Sequence, residues 1–170
     1  MVCSLLSFKR TLFFAAVALV SMVAREASAQ IVMDGAMNYR MTRPAGASNW
    51  TTAATVSKIT NYDYVDYNSV QAKLVLAKAP FVQGKSFKAY VVSSSNRTSI
   101  PARTYLTNLK LSGYTSLPKG KWRVTMVLVN ARNQVLHGRT FPKTIGIRSA
   151  HRLATRSLSG DTLTGHAAAE

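Results

Sequence analysis

The chain is short of cysteine, of carboxylates and of long apolar runs. Cys3 is its only cysteine, and it lies ahead of the first apolar run, so it is not placed as a lipoprotein anchor. From Gln30 onward there is no thiol, which excludes a disulfide framework there. Small eukaryotic extracellular domains are often stapled by disulfides, so their absence favours a bacterial envelope or secreted protein. Six acids stand against 22 Lys and Arg, a net charge of +16. After residue 29 the acids are Asp34, Asp63, Asp66, Asp161 and Glu170, and none falls between Val70 and Gly160. That stretch holds sixteen Lys or Arg, from Lys73 to Arg156. Bases without acids nearby cannot neutralise one another in ion pairs, so the outward field is positive on most sides. The partners implied are anionic: surface polysaccharide, lipopolysaccharide, nucleic acid, a membrane surface touched peripherally, or an acidic protein. The alternative is charge that serves solubility alone.

The one extended apolar run, Leu12 to Val23, is well short of the ~20 residues needed to span a bilayer. Lys9 and Arg10 precede it and Ala27-Ser28-Ala29 follows. This is the pattern of a secretory signal peptide over residues 1–29, cleaved after Ala29, with an uncleaved anchor as the alternative. A secreted or periplasmic location follows, with no transmembrane segment after cleavage. The remaining 141 residues carry a net charge of +14, a length that suits one domain.

Little in the sequence speaks for catalysis. His137, His151 and His166 are the only histidines, and no pair has metal-ligand spacing. No glycine-rich phosphate loop or nucleophile elbow is present. No catalytic residue, metal or cofactor is assigned, and a hydrolase with an unrecognised site is the least favoured reading. The run Asn61-Tyr62-Asp63-Tyr64-Val65-Asp66-Tyr67-Asn68 is the most unusual local composition. Its rings, amides and carboxylates suit a sugar, a peptide or part of a Ca²⁺ site, or simply a strand end and turn.

Residues 30–49 show no clear periodicity and read as an irregular lead-in. From Trp50, period-two alternation recurs in short runs bounded by turn residues, the mark of an all-β domain. Strands are expected at Ala53–Thr60, Val70–Leu76, Ser86–Val92, Tyr105–Leu111 and Trp122–Val129. Val135 to Phe141 forms the hairpin partner of the last of these, interrupted at Pro142. Val56 and Ile59 are out of phase, which predicts a bulge or an early end in the first strand. Residues 148–170 lack aromatics and have little to bury, so a disordered basic tail is expected.

The stretch Leu117-Pro118-Lys119-Gly120-Lys121-Trp122, leading into the alternating run that ends at Asn130, resembles the corner and penultimate strand of fibronectin type III and other immunoglobulin-like domains. Trp122 stands where those families usually place a tyrosine. The resemblance implies a single antiparallel immunoglobulin-like β-sandwich over residues 50–147, and it implies a fold rather than an activity.

With Phe87, Ala89 and Val91 inward, Lys88 and Tyr90 point outward. With Trp122, Val124 and Met126 inward, Arg123 points outward. His137 and Arg139 share a face of the return strand. In an immunoglobulin-like topology these strands are neighbours, so Lys88, Tyr90, Arg123, His137 and Arg139 are expected to form one exposed polyanion-binding patch. The function expected is an exported non-enzymatic binding or accessory module engaging anionic cell-surface polymers or an acidic partner. The alternative is a structural or chaperone-like protein that binds peptide strands at a sheet edge.

Overall fold

A computed structural model describes residues 30–86, 88–148 and 161–167. The expected signal peptide, residues 1–29, lies outside the described residues. Ten strands and no helix are found among the described residues: β1 Ile31–Val32, β2 Met37–Arg43, β3 Trp50–Asn61, β4 Tyr67–Ala77, β5 Ala89–Ser94, β6 Thr98–Ile100, β7 Tyr105–Thr115, β8 Gly120–Val129, β9 Val135–Ile147 and β10 Asp161–Ala167. All pairings are antiparallel. The sheet runs β10-β2-β3-β7-β5-β4-β8-β9, with β1 beside β3 and β6 beside β4. Its two ends come together, so the sheet is nearly closed into a barrel. The hydrogen-bonded path is thus one continuous sheet, where the sequence suggested the two separate sheets of a sandwich.

Alternation builds the interior. Val70, Ala72, Leu74 and Leu76 of β4 and Trp122, Val124, Met126 and Leu128 of β8 face the core with Trp50, Val56, Ile59 and Phe141. The opposite side of the same two strands is also covered. Val75, Val127 and Val129 form a small outer cluster with Phe81 and Val135, because the loop 78–86 folds back over the sheet. Its anchors are the Phe81 amide donating to Thr140 Oγ1 (2.9 Å) and Gln83 Nε2 donating to the Leu136 carbonyl (3.0 Å).

β3 passes through its phase change without ending. Ser57 stands opposite Asn108, which has a φ of 54°, so both strands shift phase together and Val56 and Ile59 both reach the core. Before β8, Trp122 is buried, and its Nε1 donates to the Pro118 carbonyl at 2.8 Å.

Two regions depart from the sequence reading. Residues 30–49 are not an irregular lead-in, since they hold β1 and β2; Met37, Tyr39, Met41 and Arg43 are buried in strict alternation. The tail is not disordered throughout: 161–167 forms β10 along the edge of β2, while 149–160 and 168–170 lie outside the described residues.

Candidate polyanion-binding end

Strand direction fixes which groups share an end. β3 ends, and β4 and β7 begin, beside the loops 62–66, 95–97, 101–104 and 130–134. At the opposite end lie the loops 44–49, 78–88 and 116–119 and the last residues of β9. The three carboxylates of the barrel body, Asp34, Asp63 and Asp66, are all toward the first end. The second end carries Lys78, Lys85, Lys88, Lys119, Lys121, Lys143 and Arg148, all exposed, with Arg123 half-exposed. Arg43 is buried there, its guanidinium 4.8 Å from the Trp50 ring and donating to the Arg148 carbonyl at 3.2 Å. Among the described residues, the only acid whose backbone reaches this end is Asp161, paired with Arg43.

The basic end has internal order. Lys78 Nζ lies 3.5 Å from the centroid of the Trp122 ring and donates to the Lys121 carbonyl at 3.0 Å. The Tyr90 ring meets Trp122 edge-on, centroids 5.2 Å apart, and remains 56% exposed. Beside them Lys78, Lys85 and Lys88 line an open pocket of about 540 Å³ whose floor is Ala77, Ala79, Pro80 and Val82. Three lysines lining a pocket with apolar residues suit an anionic group carried on a partly apolar body.

The five residues expected to form one patch are divided. Lys88, Tyr90 and Arg123 lie at this end but not on one face. Tyr90 pairs with Leu76, a core residue, and so stands on the inner side at the rim; Arg123 pairs with Ala77 and Thr144 on the outer side. A bulge at Val92 causes the difference, since the ladder steps from Leu74↔Ser93 to Val75↔Val91. Ala89 and Val91, expected inward, are therefore exposed. His137 and Arg139 share a face, but it is the inner one, opposite Leu128 and Met126.

Those two side chains close the seam. His137 Nδ1 accepts from the Met33 amide (3.4 Å), and Arg139 donates to the Met33 and Gly35 carbonyls (3.2 and 3.4 Å). Burial, with the Arg139 charge, holds the His137 pKa below its ordinary value of 6.5; Asp34 acts in the other direction. Burial also raises the pKa of Asp34. Hydrogen bonds from Thr60 Oγ1 (2.6 Å) and Tyr62 OH (3.0 Å), its own backbone amide and the Lys58 charge outweigh that and leave it below 3.8. Farther along the seam, toward the basic end, a cleft of about 470 Å³ lies between β9 and the β2–β10 pair, lined by Tyr39, Phe141, Lys143 and Gly165 among others.

The tyrosine-rich run is an ordered loop at the first end, where its carboxylates stand beside the exposed bases Arg97, Arg103 and Arg132. Asn61 is fully buried and its Nδ2 donates to the carbonyls of Val65 (2.8 Å), Pro101 (3.0 Å) and Ile100 (3.2 Å). Asp66 accepts from the Ala102 amide, and the Arg103 guanidinium lies 3.8 Å from the Tyr64 ring centroid. The loop's carboxylates are thus engaged in holding its shape. Among the described residues no group of three or more His, Cys, Asp or Glu is placed to hold a metal.

Lys78 and Lys85 were not singled out by sequence reasoning. Their signal was a pair of lysines in a Pro- and Gly-containing connection between two strands. What assembles them is the fold-back of the loop on Phe81, a tertiary contact. A comparison with protein-family models, curated proteins and solved structures finds no match for this chain.

Proposed function

We propose that the protein is an exported, non-enzymatic binding module that engages anionic cell-surface polymers through the basic end of its barrel. One observation carries the reading: Asp34, Asp63 and Asp66 lie toward one end, while the other presents Lys78, Lys85 and Lys88 lining an open pocket with Ala77, Ala79, Pro80 and Val82, Lys78 also resting on the Trp122 ring. A charge kept only for solubility has no need of that arrangement. A fixed cluster of cations gains more from a polyanion than the same charges spread over a surface, because each contact releases condensed counterions without further ordering of the protein. The immunoglobulin-like kinship belongs to this proposal as well. It rests on the Leu117–Asn130 stretch, where the Trp122–Pro118 bond supplies the backbone contact that the tyrosine gives in those families. The binding reading does not depend on it.

The experiment is a salt titration of binding to a sulfated polysaccharide, to lipopolysaccharide and to single-stranded DNA. Affinity for at least one should fall linearly on a log–log plot between low and physiological salt, with a slope of about −2 or steeper if three lysines displace counterions at ~0.7 each. Binding that ignores salt would remove the proposal and favour recognition of peptide strands at a sheet edge.

A further inference from the structure

We propose that the outer edge of β2 is a strand-accepting site, that β10 is a removable occupant of it, and that residues 161–167 of one copy pair with β2 of a second copy. The proposal is independent of polyanion binding.

One edge of β2 is committed to β3; the other is filled by β10 in unbroken register, from Asp161 opposite Arg43 to Ala167 opposite Met37. Among the described side chains of β10, Leu163 to Ala167, little adds to that ladder. Leu163 and Ala167 pack half-buried against the core, while Thr164 and His166 are exposed, His166 Nδ1 meeting Asn38 Oδ1. By contrast, β8 keeps a run from Val124 to Val129 buried. A strand held by main-chain bonds with little apolar burial belongs to the low-stability part of a fold and opens readily. Once open, it leaves an edge that templates another strand.

The tether allows exchange. The last residue described after β9 is Arg148, whose carbonyl accepts from Arg43; β10 begins at Asp161, paired with that same Arg43. Both ends of the connection therefore lie at one residue, yet twelve residues, 149–160, join them. Two suffice to join antiparallel neighbours. Loop closure entropy rises only slowly with length, so the long connection favours β10's own copy without obliging it.

The site selects its occupant. A Cβ on Gly165 would overlap Tyr39 Cε1, and the Tyr39 ring meets Phe141 edge-on, centroids 4.8 Å apart. A strand with any larger residue at that position has to displace the Tyr39 ring, so glycine there is favoured. The chain's own segment supplies that glycine, so a second copy of it is the occupant the geometry favours.

Arg40 and Thr164 are direct partners and both exposed, at a separation a disulfide can bridge. The chain from Gln30 onward has no other cysteine. Carrying Arg40→Cys and Thr164→Cys together, it should oxidise to a locked monomer. The two single variants, mixed and oxidised, should give a heterodimer that grows with concentration and exceeds either homodimer at least about fivefold, as expected when a tethered strand is displaced in trans. Excess free peptide 160–168, or Gly165→Val in the Thr164→Cys chain, should suppress it. Heterodimer no more abundant than homodimer, with the double variant locked, makes β10 a permanent strand of its own copy and overturns the proposal. A double variant that does not lock overturns it too, by removing β10 from β2.

Discussion

Asn61 holds three carbonyls with one amide group, and its Oδ1 accepts the Asp63 amide at 2.9 Å. Asn61→Ala would leave those groups unsatisfied in a buried site. Each orphaned group costs about 1–3 kcal/mol, of which rearrangement recovers part, so denaturant unfolding should show a loss of roughly 2–4 kcal/mol. His137 makes the second prediction at this scale. Its folded pKa lies below 6.5, so the unfolded chain binds a proton that the folded chain does not. The stability tied to this group is full above pH 6.5, declines as the pH falls toward the lowered folded value, and levels off below it. Protonation also removes the acceptor that Nδ1 offers the Met33 amide. His137→Gln should flatten the stability profile just below pH 6.5 and leave the acid limb from Asp34, below 3.8, in place; melting curves across that range check it. An unchanged slope would assign the pH dependence elsewhere.

At the scale of elements, the loop 78–86 is the piece that joins fold to site. Phe81 lies against Gly138, where a Cβ would come within 2.8 Å of its ring, and it caps the outer valine cluster. Phe81→Ala should lower stability by about 1–2 kcal/mol, less than for a fully buried phenylalanine. It should also weaken polyanion binding several-fold with no charge removed, because Lys78 and Lys85 would then have to be ordered on binding. Calorimetry and binding on the same variant check both; weakened stability with unchanged affinity would separate the loop from the site. How the elements could be read follows the same physics. β4 and β8 are legible because a strand with one face in a core writes period two into its residues. β2 carries that period equally well in Met37, Tyr39 and Met41, but Gly35, Pro44 and Gly46 around it read as loop. β10 has almost no apolar signature, since a neighbour's ladder, not a core, positions it. The division of the expected patch has a similar cause. Bulges such as that at Val92 reverse which residues face inward and carry no side-chain signal of their own.

Across the whole molecule, the excess of bases was plain in the composition, but the placement of Asp34, Asp63 and Asp66 away from the lysine-lined pocket was not, because sequence order says nothing about which loops share an end. That arrangement is open to a test in which net charge is held equal. Lys78, Lys85 and Lys88 changed to Ser removes the pocket's cations at the basic end. Lys73, Lys110 and Arg132 changed to Ser removes as many from the side and the opposite end. All six are exposed or half-exposed, so both variants should fold. If binding responded only to net charge, the two would lose the same affinity. Because the Lys78–Lys88 loop is fixed on Phe81 and its cations converge, the first variant should lose at least about tenfold in affinity for an anionic polymer at ~0.15 M salt, where the Debye length is about 8 Å and distant charges are screened. Its log–log salt slope should become shallower by about 2, three counterions at ~0.7 each. The second variant should change by less than about threefold, since even Lys73 stands four strand residues from Ala77, roughly 13 Å, against a Debye length of about 8 Å. Equal losses would make the bulk field the binding element, and a larger loss from the second variant would move the site to the other end of the barrel.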